Sequence, residues 1–227
     1  MKKIALIPSR EEMPNPDLSA YLISAGWTPT FLTGYSNIFE AFSEGLKLAD
    51  VGPKDYVIMC HDDIDILSKE SFFNQNLDSL LEKSDTGFIG VAGTRLLTEN
   101  AVWWESMGYG SQSAVMGFVS HGTLEKNHTT FYGPTGQAVV LDGLFLCAKG
   151  STLNQIMISK PKMFTGGWDF YDLFYTTQTH LKGLKNYVVP IHILHKSLGD
   201  TNGKDSWYLN REAYKEAFKK HLPLFVN

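Results

Sequence analysis

Apolar and polar positions along the first half of the chain fall into blocks whose period switches between that of a strand and that of a helix. Lys3 to Ile7 is an apolar run ended by Pro8 and predicts a first strand. Asp17 to Ala25 predicts a short helix closed by Gly26, and Thr30 to Leu32 a second strand. Asn37 stands as an N-cap with Glu40 three residues on, and Ile38, Phe39, Phe42, Leu46 and Ala49 fall near one face of the helix that follows. After the Gly52-Pro53 break, Tyr56 to Cys60 is a continuous apolar run of the kind found in strands buried on both faces. Phe72 to Leu81 has helical spacing, and Phe88 to Ala92 reads as another buried strand. The alternation predicts an α/β fold: a mostly parallel sheet with flanking helices, and Ile4–Ile7, Val57–Cys60 and Ile89–Ala92 as central strands.

The second half has a different texture. Trp103 to Gly136 is rich in Gly, Ser, Thr and aromatic residues and predicts loops with an antiparallel hairpin. Gln137 to Cys147 is apolar except at Asp142-Gly143. Phe170 to Leu181 predicts a helix, Tyr187 to Leu194 a strand, and Trp207 to Lys219 a final amphipathic helix. Neither a repeat nor a linker interrupts the chain, which predicts one domain over residues 1–227 with two sub-regions, about 1–98 and about 99–227.

Composition narrows the function classes. The net charge of -4 gives no global basic field for nucleic acid or acidic lipid. No apolar run approaches the ~20 residues needed to span a bilayer, and the apolar run near Met1 is shorter than a secretory core. The expectation is a cytoplasmic protein without a membrane span. Cys60 and Cys147 each sit inside an apolar run and read as reduced core residues.

The strongest chemical signal is His61-Asp62-Asp63-Ile64-Asp65, directly after a buried strand. Ligands of open α/β sheets bind beyond the carboxyl ends of the strands. Three carboxylates packed together there repel one another unless a cation or solvent compensates. Carboxylate oxygens suit hard divalent cations, which also bind phosphate oxygens. The alternative is a solvated loop whose Asp caps the next element.

Tyr56 to Ile64 resembles the Asp-x-Asp region of family 2-like glycosyltransferases, in the branch where His replaces the first Asp. Five further segments resemble that branch in the same order: the helix Ser36 to Leu46, Gly90 to Arg95 followed by Trp103-Trp104, Val140 to Phe145, Trp168 to Leu173, and His195-Lys196-Ser197. The resemblance runs from about Ile4 to Pro223. It departs from the pattern at Ser43, where the family has Asn, and at Phe174, where a second acidic residue is common.

The resemblance implies a GT-A-like nucleotide-binding fold, with the nucleotide on the first half and the donor sugar and acceptor on the second. It implies a nucleotide-diphosphate sugar donor, a glycan or other hydroxyl acceptor, and a divalent cation. Asp63 and His195 would hold that cation, and the imidazole favours Mn²⁺ over Mg²⁺. Asp62 would hold the ribose or the metal. Pro8, Ser9 and Arg10 would meet the nucleotide base, Arg95 would contribute on the nucleotide and donor side, and Asp142-Gly143 would face the donor sugar. Asp172 or Asp169 would be the general base, with Asp172 the better match to the motif. By residue type, Trp103, Trp104, Trp168 and Tyr171 either form an acceptor platform, since aromatic faces stack on sugar rings, or pack in the core. The expected outcome is inversion by single displacement. A nucleotidyltransferase, a metal-dependent phosphohydrolase built on His61-Asp62, and an inactive sugar-nucleotide-binding module are the competing classes.

Overall fold

A computed structural model describes residues 1–9, 15–106, 114–197 and 205–226. The first half alternates as the periodicity predicts. Strand β1 (Lys3–Ser9) leads to helix α1 (Pro16–Ser24), β2 (Thr28–Thr33), α2 (Ile38–Leu48) and β3 (Tyr56–Cys60). A short β4 (Ile64–Ile66) precedes α3 (Glu70–Leu81) and β5 (Thr86–Gly90). Asn37 caps α2 by accepting the Glu40 N–H at 2.9 Å, and Ile38, Phe39, Ala41 and Phe42 bury the inner face of that helix. Asn15 caps α1 with its side-chain oxygen, while its amide donates to the Asp62 and Ile64 carbonyls at 3.1 and 2.9 Å. One side chain thereby starts a helix and pins the acidic segment after β3.

Past β5 the chain moves into a second sheet. Strands β6 (Ala92–Thr94) and β7 (Leu96–Leu97) are followed by the predicted hairpin, β8 (Val115–Gly122) and β9 (Asn127–Gly133). Then come β10 (Gly136–Ala138), β11 (Val140–Leu141), β12 (Phe145–Lys149), α4 (Gly150–Leu153) and α5 (Tyr171–Leu181). Strands β13 (Lys185–Val188) and β14 (Ile193–His195), helix α6 (Asp205–Phe218) and β15 (Leu224–Phe225) end the fold.

The larger sheet has the order β10-β13-β5-β12-β3-β1-β2. Strands β1, β2 and β3 are parallel, and β13 is parallel to β5. The first-half strands of this sheet all run the same way, as expected of a mostly parallel sheet, but β3 and β5 are not neighbours. Strand β12, from the second half, inserts antiparallel between β3 and β5. An apolar run buried on both faces reads alike in either direction, so hydropathy alone does not fix its sense. Two expectations change. The strand expected to reach Ala92 ends at Gly90, and the expected strand from Tyr187 to Leu194 is two strands in different sheets. The second sheet has the order β11-β6-β8-β14-β4, with β9 on β8. One buried cluster joins side chains from both sheets, and Cys60 and Cys147 lie within it as free thiols. None of the described helices is long and apolar enough to cross a membrane.

Asn186 ties these layers together without any exposure. Its carbonyl accepts the Phe88 N–H at 2.9 Å and the Thr179 hydroxyl at 2.8 Å, and its amide donates to the Val139 and Thr176 carbonyls at 2.8 Å each. Removing one side chain would orphan groups on β5, on α5 and beside β11. Buried polar groups left unpaired cost about 1–3 kcal/mol each. Asn186→Ala is therefore expected to lower stability by roughly 3 kcal/mol or more, a fall in Tm of about 6–12 °C for a chain of this size. Thermal unfolding followed by circular dichroism checks this; a loss under about 2 °C would contradict it.

Candidate active site

The carboxyl end of β3 and the amino end of β12 lie side by side because the two strands are antiparallel, with Cys60 opposite Phe145. The His61 N–H donates to the Leu144 carbonyl at 3.1 Å, extending the pairing one step past the strand. The acidic segment and the Asp142-Gly143 turn thus share one edge of the sheet. Strand β14 delivers His195 to the same edge: it pairs antiparallel with β4, His195 stands opposite Ile64, and the Lys196 N–H donates to the Asp63 carbonyl at 2.8 Å.

His61, Asp63 and His195 form a compact set, with one ligand atom from each lying within 4.8 Å of the others. His195 Nε2 is 3.3 Å from Asp63 Oδ2, and His61 Nδ1 is 3.8 Å from Asp63 Oδ1. Burial pushes the Asp63 carboxyl up, but the hydrogen bond and charge of His195, the charge of His61 and a bond from Ser197 outweigh it and hold the group down at about 2. His61 opens to the cavity but is enclosed by protein, and that desolvation lowers its pKa below the ordinary imidazole value. Two imidazoles and a carboxylate fit a divalent cation at the hard-to-borderline boundary. Asp65 is spoken for elsewhere, by a 2.8 Å ion pair with Lys196.

A cavity of about 410 Å³ opens beside this set, with His61 and His195 in its wall. Asp142 and Asp172 line it too. Asp142 is oriented by the Trp103 indole N–H at 3.2 Å and the Leu144 N–H at 2.9 Å. Asp172 sits in the first turn of α5 and accepts from the Gly143 N–H at 2.9 Å and the Leu173 N–H at 2.8 Å. Burial, and then the charge of Asp142, push the Asp172 carboxyl up to about 7 against the pull of those N–H donors. Position 143 has to be glycine, because a Cβ there would overlap the Tyr171 hydroxyl and crowd the Asp172 Cβ.

Much of the remaining wall is aromatic, including Trp103, Trp104, Trp168, Phe170 and Trp207. Trp104 and Trp207 lie 6.0 Å apart, and Trp104 is 40% exposed. The Trp168 indole N–H donates to the Ser36 carbonyl at 3.1 Å, and the Ile38 N–H donates to the Gly167 carbonyl at 3.0 Å. These two bonds dock the loop before α5 onto the start of α2. Asp169, also in the wall, accepts from the Ser206 hydroxyl of α6 at 3.1 Å.

A model of the "Glycosyltransferase like family" matches residues 32–221. The chain belongs to this glycosyltransferase-like family. No curated protein matches this family member. Among solved structures, A197 from STIV superposes with a TM-score of 0.50 at 12% identity, over 84% of this chain and 82% of that one. GalNAc-T7, crystallised with UDP, GalNAc and Mn²⁺, superposes with a TM-score of 0.50 at 14% identity, over 85% of this chain. That alignment spans 37% of the GalNAc-T7 chain, so the likeness concerns part of that protein. At these identities both likenesses are of fold, and the one to GalNAc-T7 agrees with a GT-A-like architecture.

In this glycosyltransferase-like chain, the motifs converge unevenly. Asp63, His195, Asp142, Gly143, Asp169, Asp172, Trp168 and Tyr171 come together at the cavity or at the His61–Asp63–His195 cluster beside it. Pro8 and Ser9 end β1, and the Ser9 hydroxyl donates to Asp62 Oδ2 at 2.5 Å, forming a separate polar rim. Arg95 does not line the cavity; its backbone pairs with Ala114 and Val226 between β6 and β7. Arg10 lies outside the described residues. The Tyr171 ring is 4% exposed and packs on Phe39 and Phe42, which leaves no free face for stacking. Phe174, where the family pattern carries an acid, is a core residue against Phe39, Phe164 and Phe218. Sequence reasoning missed three features. His61 joins Asp63 and His195 in one cluster, and its alignment with the first Asp of the motif was the available signal. Trp207 comes from a helix distant in sequence. His121, opposite His128 in the hairpin, stacks on it at 5.5 Å and lies 5.7 Å from His195, a neighbourhood visible only once the second sheet is formed.

The raised Asp172 carboxyl has a stability signature. Unfolded, such a group ionises near 3.8; folded, near 7. Between those values the native state binds more protons, so stability falls as pH rises from about 4 to about 7 and levels off above. The full effect is at most about 4 kcal/mol, reduced by water in the cavity. Urea unfolding in chelator at pH 4, 5.5 and 7 is expected to show the gap between Asp172→Asn and the parent shifting in favour of the variant as pH rises. A pH-independent gap would contradict the assignment.

Proposed function

We propose that the chain is a cation-dependent glycosyltransferase, that residues 1–227 act as one domain, and that it moves a sugar from a nucleoside-diphosphate sugar to an acceptor hydroxyl by inverting single displacement. The observation that carries this reading is the His61–Asp63–His195 set at the edge of a cavity that also holds Asp142 and Asp172. The family match and the GT-A-like fold support the donor class, and the neighbour holding UDP, GalNAc and Mn²⁺ is consistent with it.

Each residue then has a task. Ser9 and Asp62, at the carboxyl ends of β1 and β3, face the nucleoside, as ligands do in open α/β sheets. His61, Asp63 and His195 hold a divalent cation, with Mn²⁺ favoured by the two imidazoles. Such a cation supplies Lewis-acid charge against the growing charge of the leaving diphosphate. Asp142, fixed by Trp103 and Leu144, accepts from donor-sugar hydroxyls. Trp104, Trp168 and Trp207 present the apolar wall on which an acceptor rests. The acceptor oxygen forms its bond to the anomeric carbon as the bond from that carbon to the diphosphate oxygen breaks. The electron pair leaves with the diphosphate, and the acceptor's proton passes to Asp172. A carboxyl held near 7 is suited to take that proton at neutral pH.

Two outcomes test the reading. A nucleoside diphosphate is expected to bind weakly in chelator and tightly with Mn²⁺, with Asp63→Ala abolishing the difference and most sugar-nucleotide turnover. Equal affinity by calorimetry in chelator and in Mn²⁺ would sink the cation-dependent mechanism.

Asp172→Asn is expected to keep nucleotide affinity and lose about 10²–10⁴-fold in rate, while Asp169→Asn is milder. The parent rate should climb with pH through about 7, because a base works only when deprotonated. Near-parental transfer by Asp172→Asn beside an inactive Asp169→Asn would move the base to Asp169.

A further inference from the structure

Which nitrogen of His61 meets a cation is decided by a hydroxyl on the other side of the ring. The Tyr171 hydroxyl lies 2.9 Å from the Gly143 carbonyl oxygen and 2.9 Å from His61 Nε2. A carbonyl only accepts, and a tyrosine hydroxyl has a single proton. That proton is committed to Gly143, so the hydrogen in the contact with His61 belongs to Nε2. A neutral imidazole carries one N–H. Nδ1, which faces Asp63 at 3.8 Å, is therefore left with a bare lone pair.

We propose that Tyr171 is a positioning residue for the cation site: its hydroxyl fixes the His61 tautomer and ring so that Nδ1 is the ligand, and joins the Asp142-Gly143 turn to the cation. The inference rests on the cation reading above. Metal-ligating histidines commonly donate their second nitrogen to an oxygen acceptor, and here the acceptor is itself anchored to a backbone carbonyl. The hydroxyl has little room to drift. Its ring is wedged against Phe39, Phe42 and Tyr175 at 6.5, 5.9 and 6.1 Å, and the turn at Gly143 closes over it. A shift of the donor-sugar turn would thus be felt at His61, and a shift of His61 at the turn.

The test uses the full chain and two readouts besides activity. Long-range proton–nitrogen NMR of the metal-free parent at pH 8 is expected to find His61 as the Nε2–H tautomer. Finding it as Nδ1–H overturns the inference without any variant being made. In Tyr171→Phe, which keeps the ring and its packing, the single tautomer should give way to a mixture, and the Mn²⁺ dissociation constant by calorimetry should rise about 10–100-fold. Mn²⁺ affinity within about twofold of the parent, or an unchanged tautomer, overturns the inference while leaving the cation reading intact. A parent that binds no Mn²⁺ at all overturns both.

Discussion

The antiparallel pairing of β12 on β3 is the constraint from which the site follows. Parallel strands would have sent the two chain ends to opposite edges of the sheet. Because β12 runs against β3, the residues that leave β3 and those that enter β12 meet at one edge, and the His61 N–H closes on the Leu144 carbonyl there. Everything chemical is then added to that edge by neighbours. Strand β14 brings His195 through its pairing with β4, and α5 brings Tyr171 and Asp172 against the Gly143 turn. The glycine is what lets α5 approach so closely, since any side chain at 143 would take the space of the Tyr171 hydroxyl.

The edge carries two kinds of carboxylate, and their surroundings pull them in opposite directions. Asp63 sits among imidazoles and is held near 2 despite its burial. Asp172 sits beside another carboxylate in an enclosed wall and is pushed to about 7. One group is thereby kept as a fixed anion, and the other is left able to exchange a proton near neutral pH. Such a division of roles between carboxyl groups arises from environment rather than residue type.

How much of this was legible in the sequence depended on whether the signal was local. The parallel strands β1, β2 and β3, the Asn37 cap and the helix α5 follow from period and capping chemistry that lie within a few residues. The acidic edge was legible because it follows a strand buried on both faces. The sense of β12 was not, because direction is set by long-range pairing and leaves no trace in hydropathy. The division of 187–194 into two strands was missed for a similar reason. Tyr187 and Leu194 join different sheets, and an apolar run does not record which sheet it serves. Tyr171 was placed among stacking residues from its type, whereas its neighbours make it a buried hydrogen-bond relay.

The aromatic wall shows the other limit. Trp103 and Trp104 come from a short 3-10 turn after β7, Trp168 and Phe170 from the loop before α5, and Trp207 from α6. No window of sequence contains them together. Phe170 adopts a left-handed backbone with φ of 64°, a conformation that costs a non-glycine residue on the order of 1–3 kcal/mol. Its ring, 5% exposed, packs on Phe164, Trp207 and Tyr214, and the Gly167 and Trp168 bonds to the start of α2 hold the loop in place. The strain is therefore balanced by packing that belongs to α6 and α2, outside the loop itself. A consequence is that the start of α5, and with it Asp172, is positioned by the same residues that form the wall. Changes in the wall should then reach the Asp172 carboxyl, so the two cannot be varied independently in this fold.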